Sequence, residues 1–316
     1  MPEPVWIGPT AQVTMEVPCE PHVALNSLEL APTSLVQLSD SLLAVVDVQQ
    51  RRFVLIHPDG RTKAGYPLTP EGPTGILDPR NVALVGDSLL VFADGPRGAL
   101  RRLTLDWEDA GSESLGFPPD AVAPLPDGVL VSRLALGDGP SSLLYKVGSR
   151  GLTGLEIPPF PHDDWRVRSL VNSLELSTGA QGQVVVAHRF LVPRAYTTRS
   201  ADSGVPWQMV RVPLPDEARR WWGEMPTSAP ESGVGWLTPV LAGALHSVSG
   251  DYLYLTRSGR EVGGHSEKVI LRVDSQFTYL GGVRLPVNAG FMALDVQRDL
   301  AIVVDGEDRW FTCPLP

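Results

Sequence analysis

Short apolar runs recur along the chain, and polar turn residues bound each of them. The clearest unit has apolar positions over 34–38 and 42–46, a polar Ser39-Asp40 turn between them, and a third apolar run over 53–56. Comparable units begin near residues 81, 121, 169, 244 and 291. Short strands separated by turn signals are typical of sandwiches, barrels and propellers. The pattern therefore predicts an all-β chain.

Some of these runs are apolar without interruption, for example Leu42 to Val46 and Leu300 to Val304. A strand with one face in water alternates apolar and polar residues, whereas a strand buried on both faces does not. In a propeller, both faces of each blade pack against neighbouring blades. The uninterrupted runs therefore favour a propeller.

An apolar residue followed by proline marks the end of each unit. The six copies are Val17-Pro18, Tyr66-Pro67, Phe117-Pro118, Ile157-Pro158, Met225-Pro226 and Leu285-Pro286. Proline has no N–H to donate, so an outermost strand tolerates it best. Successive prolines are 49, 51, 40, 68 and 60 residues apart, and the two chain ends together supply 48 more. This spacing predicts a six-bladed β-propeller with four-stranded blades.

The last blade has only three strands at the C-terminus, so it needs a fourth from the N-terminus. We expect residues of about 12–17 to pair with residues 309–315, which makes 1–316 a single propeller domain. Such closure removes the exposed strand edges that otherwise promote aggregation.

The same strand pairing gives a prediction for the two cysteines. If Pro18 lies opposite Arg309, then Cys313 lies opposite Thr14. Cys19 is then five residues further along, or roughly 17 Å away at ~3.3 Å per residue. A disulfide needs Cα atoms within about 7 Å. We therefore expect two free thiols.

Composition narrows the class of partner. The net charge of −10 disfavours nucleic acid, because phosphates would be repelled. No signal peptide is visible, and no stretch approaches the ~20 apolar residues of a membrane span. We expect a cytoplasmic protein that does not bind membranes. Walker and Gly-x-Gly-x-x-Gly loops are absent from the sequence, so neither a nucleotide nor a flavin is expected as cofactor.

The run Val45-Val46-Asp47, Arg51-Arg52-Phe53 and Asp59-Gly60 resembles NHL-repeat and TolB-like propellers. In NHL repeats an Asp ends the second strand and an Arg-aliphatic pair opens the third. The resemblance implies the fold, and it includes binding modules as well as enzymes. More distantly, the chain is similar to calcium-dependent lactonases of the gluconolactonase type and to strictosidine synthases. The lactonases have a Glu and several Asn or Asp at the central channel.

The first blade of this chain has no Glu that matches the lactonase pattern. Three residues of suitable type stand near the starts of inner strands: Asn81, Asp120 and Asn288. The lactonase likeness is therefore incomplete.

Most long loops should lie on one face of the ring, which we call the long-loop face. It carries the connections between blades and those between the second and third strands of each blade. The long segments are 19–33, 159–166, 189–208, 227–238 and 258–268. Long loops in a compact domain are often functional, so we expect the site on this face, in blades 4 and 5.

Histidines and carboxylates on the long-loop face suggest acid–base chemistry or a divalent metal site. The candidate catalytic residues are His162, Asp164, His188 and His265. Imidazoles and carboxylates can hold a metal or transfer protons. The alternative is that these histidines are solvated or hold the loops in place. Whether a metal is bound stays open.

Arginines and aromatic residues lie in the same sector and suit a planar or anionic ligand. The candidate ligand-binding residues are Arg133, Trp165, Arg189, Arg194, Tyr196, Trp207, Trp236 and Arg257. Arg133, His188 and Arg257 end the second strands of blades 3 to 5, whereas Asp47, Asp94 and Asp305 end those of blades 1, 2 and 6. The Asp residues either face the channel or cap their own turns.

Two hypotheses follow for the function. The first is a small-molecule site, either for binding alone or catalytic. The second is a protein-interaction scaffold that uses the same loops.

Overall fold

The structure is a computed structural model that describes residues 10–13, 15–135, 142–149, 151–179, 183–190, 194–199, 201, 206–215, 241–248, 250–262 and 265–316. Six antiparallel sheets, each with four consecutive blade strands, surround a central channel. The prediction of six four-stranded blades is confirmed. Among the described helices, none has the length and apolar character needed to cross a membrane.

In the first three blades, four strands follow one another from the channel outward. Blade 1 consists of Ser34–Ser39, Leu42–Asp47, Arg52–Ile56 and Thr62–Pro67. Blade 2 consists of Val82–Val85, Leu89–Asp94, Ala99–Thr104 and Asp109–Ser114. Blade 3 consists of Pro119–Leu125, Gly128–Arg133, Leu144–Gly148 and Gly151–Leu155.

The other three blades follow the same order. Blade 4 consists of Leu174–Thr178, Val184–His188, Arg194–Thr198 and Gln208–Arg211. Blade 5 consists of Leu241–Val248, Asp251–Val262, His265–Val273 and Tyr279–Leu285. Blade 6 consists of Ala289–Asp295, Leu300–Asp305, Trp310–Pro314 and, from the N-terminal part of the chain, Glu20–Pro21.

Two expected loops are strands instead. The segment 189–208 contains the third strand of blade 4, Arg194–Thr198, which pairs with the fourth strand, Gln208–Arg211. The segment 258–268 is a hairpin that extends the second and third strands of blade 5, with Val262 opposite His265. Both segments are rich in polar residues, which hid their strand character from a search for apolar runs.

The core explains the uninterrupted apolar runs. In the second strand of blade 1, Leu43 and Val45 pack against blade 6, whereas Leu42, Ala44 and Val46 pack against blade 2. Successive side chains of a strand point to opposite faces, so a strand between two blades needs apolar residues at every position. Similar clusters lie between the other neighbouring blades.

The N-terminal segment closes the ring, but with different residues from those expected. Thr10–Ala11 pairs in parallel with Leu214–Pro215 after blade 4. Met15–Glu16 then pairs in parallel with the fourth strand of blade 5. Only Glu20–Pro21 pairs with the last strand of blade 6. The prediction of closure by 12–17 was therefore wrong in its residues, because Val17-Pro18 ends a strand on blade 5 and not on blade 6.

The two cysteines form a disulfide, so the prediction of free thiols was wrong. Thr312 lies opposite Glu20, a register that puts Cys313 beside Cys19. Their Cα atoms are 4.4 Å apart. The error came from the assumed pairing of Pro18 with Arg309, which displaced the N-terminal strand by several residues.

Buried aspartates fasten the long-loop face of blades 1, 2 and 6. Asp47 accepts hydrogen bonds from the backbone N–H groups of Gln50, at 2.9 Å, and Ala31, at 3.2 Å. Asp94 accepts from the N–H of Leu77, and Asp305 accepts from two N–H groups in its own turn. The carboxylates of Asp47 and Asp305 therefore cap their own turns, and those of Asp47 and Asp94 bind the connection that leads into their blade.

Candidate functional site

The central channel opens on the long-loop face between the inner strands of blades 1 to 4. It contains a cavity of about 720 Å³. The charged residues that line it toward the long-loop face are Asp78, Arg80, Asp120, Glu175 and Arg189. Each precedes or begins an inner strand, except Arg189, which follows the second strand of blade 4. We call Arg80, Asp120, Glu175 and Arg189 the channel-mouth cluster.

Blades 3 and 4 contribute two carboxyl groups to this cluster. The Ser173 hydroxyl donates a hydrogen bond of 2.7 Å to Oδ2 of Asp120. Arg189 Nε lies 3.4 Å from Oε2 of Glu175, and the Arg189 backbone N–H donates to the carbonyl of Ser173. The bond from Ser173 holds Asp120 across the boundary between blades 3 and 4, whereas Arg189 contacts Glu175 within blade 4.

Glu175 is the most perturbed acid of the cluster. Only 22% of its side chain is exposed. Burial raises the pKa of Glu175; the charge of Arg189 opposes this rise, and the charge of Asp120 adds to it. Burial disfavours the charged carboxylate, so Glu175 keeps its proton to higher pH than an exposed glutamate. A perturbed acid in a cavity is a common mark of a functional site.

Arg80 contributes a fixed positive charge from the connection into blade 2. Its Nε and Nη2 donate to the two carboxylate oxygens of Asp78, both at 2.8 Å. Its backbone carbonyl accepts a hydrogen bond from the hydroxyl of Ser34 in blade 1. The two-pronged ion pair fixes the guanidinium plane, which then lies within the electrostatic influence of Asp120.

His246 lines the channel from the inner strand of blade 5. Its Nε2 lies 3.0 Å from the carbonyl oxygen of Met292, which can only accept, so Nε2 carries the proton. Burial lowers the pKa of His246, and the bond to Met292 opposes part of that shift. The imidazole is therefore neutral near pH 7.

His162 and Asp164 form a local turn before helix α2, which spans Trp165–Val171. Asp164 is the N-cap of this helix, and its carboxylate accepts from the Arg166 N–H at 2.9 Å. Nδ1 of His162 lies 3.1 Å from the backbone nitrogen of Asp164. These contacts fix the loop and the start of the helix. They are of the kind expected if His162 holds its loop in place, which is the alternative to a catalytic role.

His188 and Arg133 also hold connections in place. The His188 side chain is buried, and its Nδ1 lies 2.7 Å from the carbonyl oxygen of Val171 at the end of α2. The Arg133 guanidinium lies over the ring of Phe117, at 5.4 Å from its centroid. In both cases the last residue of a second strand contacts the connection into its own blade, as Asp47 and Asp94 do.

The remaining candidate residues fall into three groups. Of the candidate catalytic and ligand-binding residues whose side chains the structure describes, Arg189 lines the channel and the others do not. Tyr196 is buried, and Trp207 packs against the apolar cluster between blades 3 and 4, whereas Trp165 is 54% exposed at the start of α2. Arg257 lies at the base of the blade 5 hairpin, opposite Lys268.

Three predicted side chains lie outside the described residues. Trp236 belongs to the segment 216–240, and the side chains of Arg194 and His265 are likewise outside that set, although their backbones lie in strands. From the sequence we also expect His162, His188 and His265 to approach one another on the long-loop face, and this stays a prediction. Among the described residues, no group of three or more His, Cys, Asp or Glu side chains is placed to hold a metal ion.

Sequence reasoning named Asn81 and Asp120 at the starts of inner strands but missed Arg80, Glu175 and His246. Asn81 also lines the channel. Every inner strand begins at the same face, so polar residues at the first or second position of each inner strand converge there. That positional rule would have selected Glu175, which is the second residue of its strand.

The sequence matches no family model and no curated protein. Solved structures share the fold. A member of the DUF4221 family from Bacteroides vulgatus has a TM-score of 0.59 at 9% identity, with 95% of this chain and 96% of that one covered. A luciferin-regenerating enzyme has a TM-score of 0.55 at 11% identity, with 95% of each chain covered. The WD40 repeats of RRP9 have a TM-score of 0.53 at 11% identity, with 97% of this chain and 99% of that one covered.

Proposed function

We propose that the channel-mouth cluster binds a small polar molecule and that Glu175 exchanges a proton with it. The observation that carries this proposal is the position of Glu175 in the channel cavity, where burial and Asp120 raise its pKa. Cavities with a few converging polar groups are the usual form of small-molecule sites. The proposed activity is general acid–base catalysis on a small, oxygen-rich substrate.

The side chains of the cluster have different roles in the proposed reaction. Glu175 keeps its proton to higher pH and acts as the acid. Asp120, held by Ser173, accepts a proton or a hydrogen bond from the substrate. Arg189 and Arg80 supply positive charge to an oxygen of the substrate on which negative charge develops. Two carboxyl groups in different environments are the arrangement by which enzymes separate the acid from the base.

Comparison with other propellers supports an enzyme only by analogy of fold. One structural neighbour is a luciferin-regenerating enzyme, and another consists of WD40 repeats. A shared fold does not fix a function, so the proposal depends on the cluster itself.

A protein-interaction scaffold is the second candidate, and exposed apolar residues on the same face favour it. Val23 in the short helix α1, Val23–Asn26, is 79% exposed, and Trp165 at the start of α2 is 54% exposed. Exposed tryptophans are enriched in protein interfaces relative to the rest of a protein surface. The wider set of predicted residues on blades 4 and 5 belongs to this candidate as well as to the first.

Ligand-observed NMR with a panel of sugar acids, hydroxy acids and lactones would test the first candidate. We expect binding that Glu175→Gln and Arg189→Met each weaken at least tenfold. Glu156→Gln is the matched control, because Glu156 is exposed in the connection that leaves blade 3. Equal binding by Glu175→Gln and the control would contradict a role for the cluster. Binding that is lost only in Trp165→Ser would favour a site at the exposed apolar residues of the second candidate.

A further inference from the structure

Lys268 is a buried amine at the boundary between blades 5 and 6. It lies in the third strand of blade 5, close to the long-loop face, and only 7% of the residue is exposed. Ile270, two positions along, packs against blade 6, and side chains two apart share a face of the strand. The Lys268 side chain therefore faces blade 6, where its Nζ lies 3.4 Å from Oδ1 of Asn288.

The described residues around Lys268 do not neutralise its positive charge. Within the described part of the chain, no carboxylate forms an ion pair with Lys268. The neighbouring Glu267 points to the opposite face, where it pairs with Arg284. Arg257 is the cross-strand partner of Lys268 and adds a second positive charge. A buried ammonium group ordinarily has a carboxylate partner, whereas the partner of Lys268 among the described residues is an amide.

These surroundings raise the fraction of Lys268 that is neutral. Burial lowers the pKa of Lys268 to about 8, and the charge of Arg257 adds to the effect. An exposed lysine has a pKa of about 10.4, so at pH 7 its neutral fraction is roughly two orders of magnitude smaller. The neutral amine is the nucleophilic form, and lysines that form imines with carbonyl substrates are activated in this way.

We propose that Lys268 is a reactive site that condenses with a small aldehyde or ketone. The amine nitrogen attacks the carbonyl carbon, and a C–N bond forms. The carbonyl oxygen then leaves as water with the two amine protons, which gives an imine. No oxidant or reductant is needed. Asn288 orients the amine, because its Oδ1 accepts a hydrogen bond from the Lys268 Nζ. Because Lys268 lies near the start of the third strand, close to the long-loop face, we expect a small carbonyl compound to approach it from that side.

Reductive alkylation of the native protein tests this site. The probe is acetaldehyde with cyanoborohydride, which supplies the hydride that converts each imine into a stable secondary amine. Peptide mass spectrometry follows the three lysines of the chain separately. Lys63, which is exposed, and Lys146, which pairs with Asp127 at 2.9 Å, are internal controls. At pH 7 we expect Lys268 to react roughly tenfold faster than Lys63.

Two further arms make the result decisive. The advantage of Lys268 should disappear in 8 M urea, and its rate should level off near pH 8 while that of Lys63 still rises. A native Lys268 that reacts no faster than Lys63 would overturn the proposal. Glu175→Gln should leave the labelling of Lys268 unchanged, because the two sites share no contact among the described residues. The labelling experiment at Lys268 and the binding experiment at Glu175 can therefore each fail without affecting the other.

Discussion

Cys19 and Cys313 form a disulfide that fastens the N-terminal segment to the last strand of blade 6. The cysteines are separated by 294 positions in the chain, so the bond closes almost the whole protein into one loop. On its way to Cys19, the N-terminal segment also pairs with strands next to blades 4 and 5. Ring closure therefore depends on both a covalent bond and short strand pairs on neighbouring blades.

Replacing both cysteines with serine should lower the free energy of unfolding by about 2–5 kcal/mol, because a cross-link restricts the unfolded chain most when the loop is long. The measurement is urea unfolding of the wild type and the double variant. Wild type treated with a reductant should match the double variant. Equal midpoints for oxidised and reduced wild type would show that the bond contributes nothing.

The same bond bears on the cellular location, which stays a prediction. Disulfides persist in oxidising compartments and are rare in the cytosol of mesophiles. A cytoplasmic protein would therefore be expected to keep Cys19 and Cys313 reduced. Alkylation of acid-quenched cells, followed by mass spectrometry of both cysteine peptides, separates the cases. We expect blocked thiols, which would count against the cytoplasmic location inferred from the N-terminal sequence.

The pairing of the N-terminal strand with the last strand of blade 6, next to Cys19, shows which part of the fold could be predicted from sequence. Six apolar-proline marks gave the number of blades correctly, although the Val17-Pro18 mark lies on blade 5 and not on blade 6, where it was expected. The residues opposite one another in the last blade did not follow, since a pair of residues such as Glu20–Pro21 is too short for any alternation of apolar and polar side chains. Register then depends on three-dimensional packing.

Some residues of the candidate site could be predicted from the sequence, but their convergence could not. Asp120 and Arg189 were both noticed in the sequence, one at the start of an inner strand and the other after a second strand. Their convergence with Glu175 depends on the precise first residue of each inner strand, and strand boundaries are the least certain part of a sequence-based assignment. His188 illustrates the opposite case, because a conspicuous residue type turned out to contact a backbone carbonyl.

Asp47 should be important for stability because its carboxylate is fully buried and receives two backbone N–H groups. Asp47→Ala leaves these donors without their acceptor, and we expect a loss of about 2–4 kcal/mol. Asp299→Ala is unsuitable as a control, since its positive φ would add strain. Asp87→Ala, at an exposed turn, is better matched. A loss below ~1 kcal/mol in Asp47→Ala would mean that water replaces the carboxylate.

Glu175 should make stability fall as pH rises. Its pKa is raised in the folded protein, so the folded state binds more protons than the unfolded state once the pH exceeds the unfolded value of about 4.3. Stability linked to this group is therefore complete at low pH and is lost as pH rises through that value to the raised folded pKa. Above the folded pKa, the buried charge destabilises the protein fully.

Glu175→Gln keeps the shape of the side chain but removes its charge, so the variant should be more stable than wild type at pH 8 and the difference should shrink toward pH 4. Urea unfolding at intervals between pH 4 and 8 measures this, with Glu156→Gln as the exposed control. Residues placed for chemistry often reduce stability, and a gain on their removal is a common signature of an active site. A variant less stable than wild type at pH 8 would instead mean that the ion pair between Arg189 and Glu175 stabilises the fold. Glu175 would then be a structural residue, and the proposed acid would have to be sought elsewhere in the channel.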